Sequence, residues 1–334
     1  MATRFPVILL LAALSLAAQP RIGIIDFYGR HKVTEDQIRV ALAAKEGSPL
    51  PKSKGETEER IEQIPGVVRA HLEATCCEKG QAILYVGVEE KGSHHFDFND
   101  APSGAVVLPQ EIHDEYSHFL AAVSSAVRAG ETGEDLHLGH SLMQNADARR
   151  HQERFVTIAK DNIEKLRDVL KNSADEEHRA IAAYVIGYYP DKASVVNDLQ
   201  SAVRDPDDTT RNNAIRALAA IAIFAIQQPD AEVKVSPTWF IEMLDSLIWS
   251  DRHAAAVTLV TLTEARNPQV LDHIRERAMS TLAEMARWKH LPHALPAFIL
   301  LGRASGIDER EIEHTWSEGD RQAFISKIMK PGKK

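Results

Sequence analysis

The sequence is poor in cysteine and in aromatic residues. Two of its 334 residues are cysteines and 6% are aromatic. The cysteines, Cys76 and Cys77, are adjacent, so the C-x-x-C spacing of redox and zinc sites is absent. Neighbouring residues on a strand point to opposite faces, so a bridge between them would be strained. We interpret them as one buried and one exposed thiol, with a redox pair as the alternative.

The sequence also lacks the common signatures of catalysis and of cofactor binding. It contains no P-loop, no dinucleotide-binding glycine pattern and no H-E-x-x-H run. Residues 139–141 begin like a nucleophile elbow, but Met143 stands where the second glycine belongs. His137 and His140 are interpreted as solvated histidines and not as metal ligands. We therefore predict no catalytic residue, no cofactor and no metal, and enzymatic activity stays uncertain.

The sequence has fewer basic than acidic residues. The 39 lysines and arginines stand against 48 acidic residues, which gives a formal net charge of -9. A negative net charge disfavours binding to nucleic acid or to anionic membranes through bulk electrostatics. We therefore predict no nucleic-acid partner.

Long apolar runs are missing after the first 18 residues, and those 18 are typical of an export signal. Arg4 supplies a positive start, residues 6–16 an apolar run, and residues 15–18 a small-residue cleavage site. The run is shorter than the about 20 apolar residues that span a bilayer, so a membrane anchor is the less favoured alternative. We expect the mature chain to begin near Ala18 or Gln19, to be periplasmic or secreted, and to have no integral membrane segment.

Residues 21–91 predict a small α+β module. A strand that ends at Gly29 is followed by two helical patterns, which residues 47–49 separate. Residues 67–75 and 82–89 then form two strands around a short turn. The predicted order is β-α-α-β-β.

This order resembles the POTRA module of outer-membrane barrel assembly and cell-division proteins. The residues that carry the resemblance are Phe27-Tyr28-Gly29, Gly66-Val67-Val68 and Val86-Gly87-Val88-Glu89. The resemblance implies that an exposed strand edge pairs with an extended partner chain. No membrane barrel and no second copy of the module follow in this sequence, which argues against an assembly role at the outer membrane. A role as a spacer or cap is equally favoured.

Residues 92–108 are rich in Gly, Ser, Pro, Asn and Asp and have no period, which predicts a linker. A helix with one apolar face then fits from Pro109 to Gly130. We assign residues 109–152 to a helical connecting region.

From residue 153 to residue 330 the chain is repetitive. Three segments align on an arginine followed by alanines, at Arg179, Arg211 and Arg252. Each follows a helix-length apolar pattern and an acidic turn, and the spacing of about 32 and then about 41 residues is typical of helical repeats. We predict pairs of helices in which the second helix carries small buried residues.

The pattern resembles the HEAT-repeat family, whose second helix carries an Asp at the turn and an Arg a few residues later. The resemblance implies an α-α solenoid. We interpret the arginines as contacts to the acidic turn of the neighbouring repeat and not as a phosphate-binding ladder. The residues with a structural role in the repeats are Arg179, Asp207, Asp208, Arg211, Asp251 and Arg252.

A fourth helix pair is predicted between residues 268 and 302. Pro292 and Pro296 fall in its second helix, where a proline removes a backbone N–H and clashes with the preceding turn. We expect this unit to be a degenerate C-terminal cap of the array.

Three tryptophans are candidate partner-binding residues. Residues 237–249 predict a single helix in which Trp239 and Trp249 lie off the main apolar stripe. Trp288 stands in a similar position near the fourth unit. These side chains dock either on a neighbouring repeat or on a partner.

The expected fold is mainly α, a HEAT-like α-α solenoid behind a small β-α-α-β-β domain. We expect a scaffold that binds a protein partner through the repeat surface, which predicts an aromatic patch around Trp239 and Trp249. One alternative is a lyase-type enzyme, a class known among HEAT-like proteins, which predicts a cleft with perturbed titratable groups near His137 and His140. The other is an envelope-assembly accessory that binds extended polypeptides, which predicts a free edge at the second or third strand.

Overall fold

A computed structural model describes residues 20–330, in which helices predominate. The proposed signal peptide, residues 1–18, and its cleavage site lie outside the described residues. The strands are β1 (Ile22–Tyr28), β2 (Val67–Glu78), β3 (Gln81–Glu90), β4 (Glu134–Asp135) and β5 (Leu142–Met143). The helices are α1 (Glu35–Leu42), α2 (Lys54–Glu62), α3 (Gln110–Ala129), α4 (Ala146–Asn172), α5 (Glu176–Ile186), α6 (Lys192–Ala202), α7 (Asp208–Gln227), α8 (Thr238–Met243), α9 (Trp249–Leu262), α10 (Pro268–Arg277), α11 (Met279–Met285), α12 (Leu291–Ala304), α13 (Glu309–Glu318) and α14 (Arg321–Met329).

Residues 21–91, hereafter the N-terminal module, follow the predicted order of strand, helix, helix, strand and strand. The sheet order is β1-β3-β2, with β1 parallel and β2 antiparallel to β3. Ile38 and Leu42 of α1 and Ile61 of α2 are buried in one apolar cluster with side chains of the sheet. The two helices therefore cover one face of the sheet and leave its other face open for a second layer.

The strand edges of the module are partly occupied. β3 is the central strand and pairs on both sides, so it has no free edge. On β2, the backbone N–H of Ala70 donates to Glu62 at 3.0 Å and that of Leu72 donates to Glu58 at 2.7 Å. The two carboxylates thus take positions that an added strand would use for its hydrogen bonds.

Cys76 lies in β2 and is disulfide-bonded, so its interpretation as a free thiol is wrong. That interpretation assumed a regular strand. The ladder between β2 and β3 is irregular between Thr75 and Glu78, so the alternation of side chains does not hold there.

The helical region is built from two layers of helices. The second helices of successive pairs, α5, α7, α9 and α12, contact one another in chain order. Small side chains permit this close approach, because alanines fill the contact layer. The fully buried alanines include Ala182, Ala183, Ala214, Ala255, Ala256 and Ala297. None of the helices within residues 20–330 is long and apolar enough to cross a lipid bilayer.

A buried arginine links each of the first two turns to the next. Arg179 contacts Asp205 through two hydrogen bonds, Nε to Oδ2 at 2.8 Å and Nη2 to Oδ1 at 2.9 Å. Its Nη1 donates to the carbonyl of Ser173 in the turn before its own helix. Planar, two-pronged contacts of this kind fix orientation as well as distance.

Arg211 repeats the arrangement one unit further along. It is fully buried, and its Nε donates to both oxygens of Asp251 at 3.1 Å while its Nη1 donates to the carbonyl of Asp205 at 2.8 Å. Burial raises the pKa of Asp251 despite the opposing effect of Arg211. Asp207 caps α7 by accepting the N–H of Thr210.

Two predicted features of the later repeats are wrong. Residues 237–249 do not form one helix: α8 ends at Met243, and α9 begins at Trp249. The Ser246 hydroxyl accepts the Ile248 N–H and donates to Asp251, which stabilises a turn between the two helices. The prolines do not disturb α12, because Pro292 lies in its first turn, where a backbone N–H has no helical partner, and the helix continues through Pro296 to residue 304.

Residues 92–108 contain no helix and no strand beyond an isolated bridge, yet they pack on the repeats. Phe96 and Leu108 are buried, and the ring of Phe98 lies 4.3 Å beneath the Arg211 guanidinium carbon. The Gly104 N–H donates to a carbonyl at the end of α4 at 2.9 Å. This segment is therefore a strap along the turns of the first repeats.

The open sheet face of the N-terminal module packs on the C-terminal half of the helical region. The Tyr28 hydroxyl donates to the carbonyl of Leu247 at 2.7 Å. The ring of Tyr85 stacks on Trp249 with centroids 4.3 Å apart. Since Tyr28 and Tyr85 belong to the same apolar cluster as the helices, the module and the helical region share one core.

Polar contacts fasten β1 to the segment from α11 to the start of α12. Both carboxylate oxygens of Glu284 accept the Gly29 N–H, at 3.1 and 3.0 Å. The Lys289 N–H donates to Asp26 at 2.9 Å, and its ammonium donates to the carbonyl of Ile25 at 2.6 Å. Burial raises the pKa of Asp26 to about 6, which is consistent with a closed interface.

Replacing Arg211 tests the contact between turns. Arg211→Met leaves Asp251 buried without its cation, so we expect the free energy of unfolding to fall by about 3–5 kcal/mol. Chemical denaturation followed by circular dichroism measures this loss. The matched control is Arg149→Met, which removes a surface pair with Glu153 and should cost less than about 1 kcal/mol. Equal effects of the two changes would contradict a structural role of the buried contact.

Enlarging Gly87 tests the docking of the module. A Cβ there would lie 2.6 Å from the Tyr28 ring and 2.7 Å from the Leu247 carbonyl oxygen. We expect Gly87→Ala to lower stability by about 1–3 kcal/mol and to speed hydrogen exchange at residues 247–252. Gly55→Ala is the control, because no atom lies within 4 Å of its Cβ position. Unchanged exchange in Gly87→Ala would mean that the sheet does not rest on this turn.

Candidate functional site

The short hairpin of β4 and β5 covers a cavity on the face of α5 and α7. This cavity, hereafter the hairpin pocket, has a volume of about 190 Å³. The residues used below to describe its wall are Glu134, His140, Ser141, Tyr184, Tyr188 and Arg216. Pockets of this kind, with apolar walls and few polar groups, are the usual form of a small binding site.

The hairpin is held in place by its buried second strand. Leu142 and Met143 are buried, and the Met143 N–H donates to the side chain of Gln152 at 2.6 Å. On the other strand, Glu134 accepts a hydrogen bond from Arg216 of α7 at 2.8 Å. The pocket is therefore bounded by an ion pair at its mouth and by apolar packing beneath.

Tyr184 on α5 and Tyr188, in the turn just after that helix, form the floor. The hydroxyls of Tyr184 and Tyr188 lie 2.9 Å apart, and Tyr188 donates to the Ser141 carbonyl at 2.9 Å. Burial raises the pKa of each of the two phenols well above its ordinary value, so both hydroxyls stay neutral and form hydrogen bonds. The sequence reasoning missed them, although their i, i+4 spacing puts both rings on one helix face.

A buried lysine lies behind the wall of the pocket. Lys192 is 3% exposed, and its ammonium donates to the Gly187 carbonyl at 2.7 Å and lies 3.1 Å from His140 Nδ1. Burial lowers the pKa of Lys192 to about 7. Burial, and then the nearby Lys192, lower the pKa of His140 to about 4, so its imidazole is neutral at pH 7. The result is a near-neutral amine in contact with a neutral imidazole that lines the pocket.

The nucleophile pattern at residues 139–141 is not completed by the fold. The Ser141 hydroxyl contacts Gln152 at 3.4 Å, and no hydrogen bond joins it to His140 among the described residues. His137 turns away and lies 2.8 Å from Gln227. Within residues 20–330 no group of three or more His, Cys, Asp or Glu side chains is placed to hold a metal ion.

The candidate tryptophans lie apart from this pocket. Trp249 and Trp288 are 7% and 3% exposed and pack against Tyr85 of the N-terminal module. A partner could reach them only if the module left this face. Trp239 is half-buried, and the Arg204 guanidinium lies over its ring at 4.5 Å. The structure therefore does not bring the three indoles together on one open surface.

Histidines that the sequence reasoning did not single out surround the buried indoles. The rings of His253 and His293 lie 5.3 and 4.7 Å from the Trp249 ring, and His293 Nδ1 lies 2.6 Å from the Tyr85 hydroxyl. Burial lowers the pKa of His253 to about 4 and that of His293 to about 3. Both are neutral members of the interface at pH 7.

A family model described as HEAT repeats matches residues 163–235. The matched segment runs from the second half of α4 through α5, α6 and α7, and it includes the floor and one wall of the hairpin pocket. The chain is similar to HEAT repeats over this segment, which is less than a quarter of its length. No curated protein matches the chain.

The pH dependence of stability tests the burial of Lys192. Because its folded-state pKa lies below the ordinary value of 10.5, the unfolded chain binds one more proton between pH 7 and that value. The free energy of unfolding should therefore gain about 1.4 kcal/mol per pH unit from pH 7 to pH 9 through this group. Denaturation curves of Lys192→Met should lack that slope. The control Lys171→Met, at an exposed site, should keep it.

Proposed function

We propose that this chain is a protein-interaction scaffold whose partner binds at the hairpin pocket. The single observation that carries the proposal is the position of the pocket, which lies on the segment similar to HEAT repeats. Repeat surfaces of this kind present long faces for protein binding. A pocket of about 190 Å³ suits one anchoring side chain of a partner.

Exposed apolar side chains beside the pocket support this proposal. Leu138, in the hairpin loop, is 54% exposed, and Ile226, near the end of α7, is 48% exposed. The loop rests on the end of α7, since a Cβ on Gly139 would lie 3.1 Å from the Phe224 side chain. Exposed apolar side chains on the loop side of a pocket that also holds the Arg216–Glu134 pair are the arrangement expected of an anchor site.

The place of the N-terminal module also supports a scaffold over a strand-capturing accessory. Its central strand has no free edge, and Glu58 and Glu62 occupy two N–H groups of β2. Its open face is buried on the helices. We propose that the module acts as a cap on the C-terminal repeats. A POTRA-type origin and a periplasmic or secreted location remain part of the proposal, supported by the strand order and by the composition of residues 1–18.

An enzyme is the second candidate, and one observation favours it. Lys192 and His140 are titratable groups with lowered pKa values beside a pocket, which is the combination expected near a reactive centre. A lysine with a pKa of about 7 is about half neutral at pH 7 and is then nucleophilic. No hydroxyl or carboxylate within the described residues completes a relay with the pair.

Charge on the rim should abolish partner capture. We expect Leu138→Glu and Ile226→Glu each to reduce recovery of a partner from an envelope extract at least tenfold, because each places a charge in an apolar contact. Val40→Glu is the matched control, since Val40 is 82% exposed on α1. Recovery that survives both rim changes would contradict a partner at this pocket. Capture that is normal in these variants but lost in Lys192→Met would favour a role of the amine.

A further inference from the structure

A second cavity lies between the N-terminal module and the helices. This cavity, hereafter the interdomain cleft, has a volume of about 190 Å³. Arg30 and His31 line it from the module, His94 from the strap, and Arg252 and Arg277 from the helices. Clefts between packed units are frequent binding sites.

The guanidinium groups of the cleft have almost no hydrogen-bond acceptors. Arg30 and Arg277 donate no hydrogen bond to any residue within the described range 20–330, and Nε of Arg30 is buried without a partner. Their nearest carboxylates are Glu35 at 3.9 Å and Glu242 at 3.7 Å, both beyond hydrogen-bond distance. Nε of Arg30 is thus a buried donor without an acceptor, which is costly, whereas the Arg277 side chain is 52% exposed and its donors face the open side of the cleft.

The three carboxylates that line the cleft already accept hydrogen bonds from other groups. Glu284 accepts the Gly29 N–H with both oxygens, and Asp245 accepts the Thr281 hydroxyl. The third, Glu89, accepts from Arg69, which lies outside the cleft, at 2.8 Å. The cleft therefore offers a surplus of N–H donors over acceptors.

Arg252 is the third arginine that lines the interdomain cleft. Its Nε donates to the Ser246 carbonyl, and its Nη1 lies 3.8 Å from Glu284, beyond hydrogen-bond distance. The Nη groups thus remain available to a ligand. The three arginines of the lining are balanced in formal charge by Glu89, Asp245 and Glu284, so the surplus of the cleft lies in its N–H donors and not in its net charge.

We propose that the interdomain cleft binds a phosphate group. A ligand here must supply acceptor oxygens, and a phosphate group, whose oxygens do not lie in one plane, suits guanidinium groups that come from three separate parts of the fold. The cavity is several times larger than the about 30 Å³ that one water occupies, so a phosphate monoester has room as well as the free ion. Since Arg30 belongs to the module and Arg277 to α10, the bound group links the two units.

Isothermal titration of the full chain with sodium phosphate in 150 mM NaCl tests this site. We expect saturable binding that weakens at least about tenfold in Arg30→Gln and in Arg277→Gln, because each change removes a charge-assisted contact. Arg310→Gln is the matched control, since this arginine is exposed on α13, and it should bind like the unchanged chain. Circular dichroism verifies that all variants are folded. Phosphate should also raise the melting temperature of the unchanged chain more than that of either cleft variant.

Parallel titrations identify the source of the phosphate group. Tighter binding of glycerol phosphate than of inorganic phosphate supports a monoester ligand, and the reverse supports the free ion. Acetate that binds as tightly as phosphate would overturn the tetrahedral assignment. The absence of binding to the unchanged chain, or equal binding by folded Arg30→Gln and Arg277→Gln, would overturn the site.

Discussion

The buried arginine–aspartate contacts between successive turns set the geometry on which the other features depend. Arg179 and Arg211 each bind carbonyls of their own turn and an aspartate of the next, so each fixes the distance between neighbouring helix pairs. Moving two charged side chains out of water costs free energy. A buried ion pair of this kind favours one arrangement of the helices only when its N–H donors find acceptors. The strap adds to this, because Phe98 packs beneath Arg211. With α5 and α7 held in register, their shared face forms the floor of the hairpin pocket.

Arg252, the third arginine of the repeats, does not form the arginine–aspartate contact that Arg179 and Arg211 form. It contacts the N-terminal module instead. Arg252 has no aspartate across the next turn; it lies 3.8 Å from Glu284 and 4.7 Å over the ring of Tyr28. Glu284 in turn accepts the Gly29 N–H of the module. The helix that carries Arg252 thus contacts the sheet of the module as well as the helical unit that follows it.

Periodicity made the helices and strands predictable, because apolar spacing and turn residues act locally. It predicted the β-α-α-β-β order, the marked arginines and their contact with the acidic turn of the next repeat, but not that Asp205 is the aspartate that meets Arg179, 26 residues away. It also could not show that Trp249 packs on Tyr85, since an indole buried by another unit has the same local pattern as one that meets a partner. Lys192 follows a helix cap, a position that is usually solvated, and only the fold of the distant hairpin buries it.

The fold separates two apolar surfaces that the sequence pattern did not distinguish, one buried between the module and the helices and one exposed. The aromatic face around Trp249 and Trp288 is used to join the module to the helices, and two neutral histidines complete it. The exposed apolar side chains lie elsewhere, Leu138 in the loop between β4 and β5 and Ile226 near the end of α7. The proposed partner contact at the hairpin pocket therefore lies apart from this buried face. Arg30 of the module and Arg277 of α10 both line the interdomain cleft, so the phosphate group proposed to bind there would stabilise the same contact between module and helices that buries the indoles.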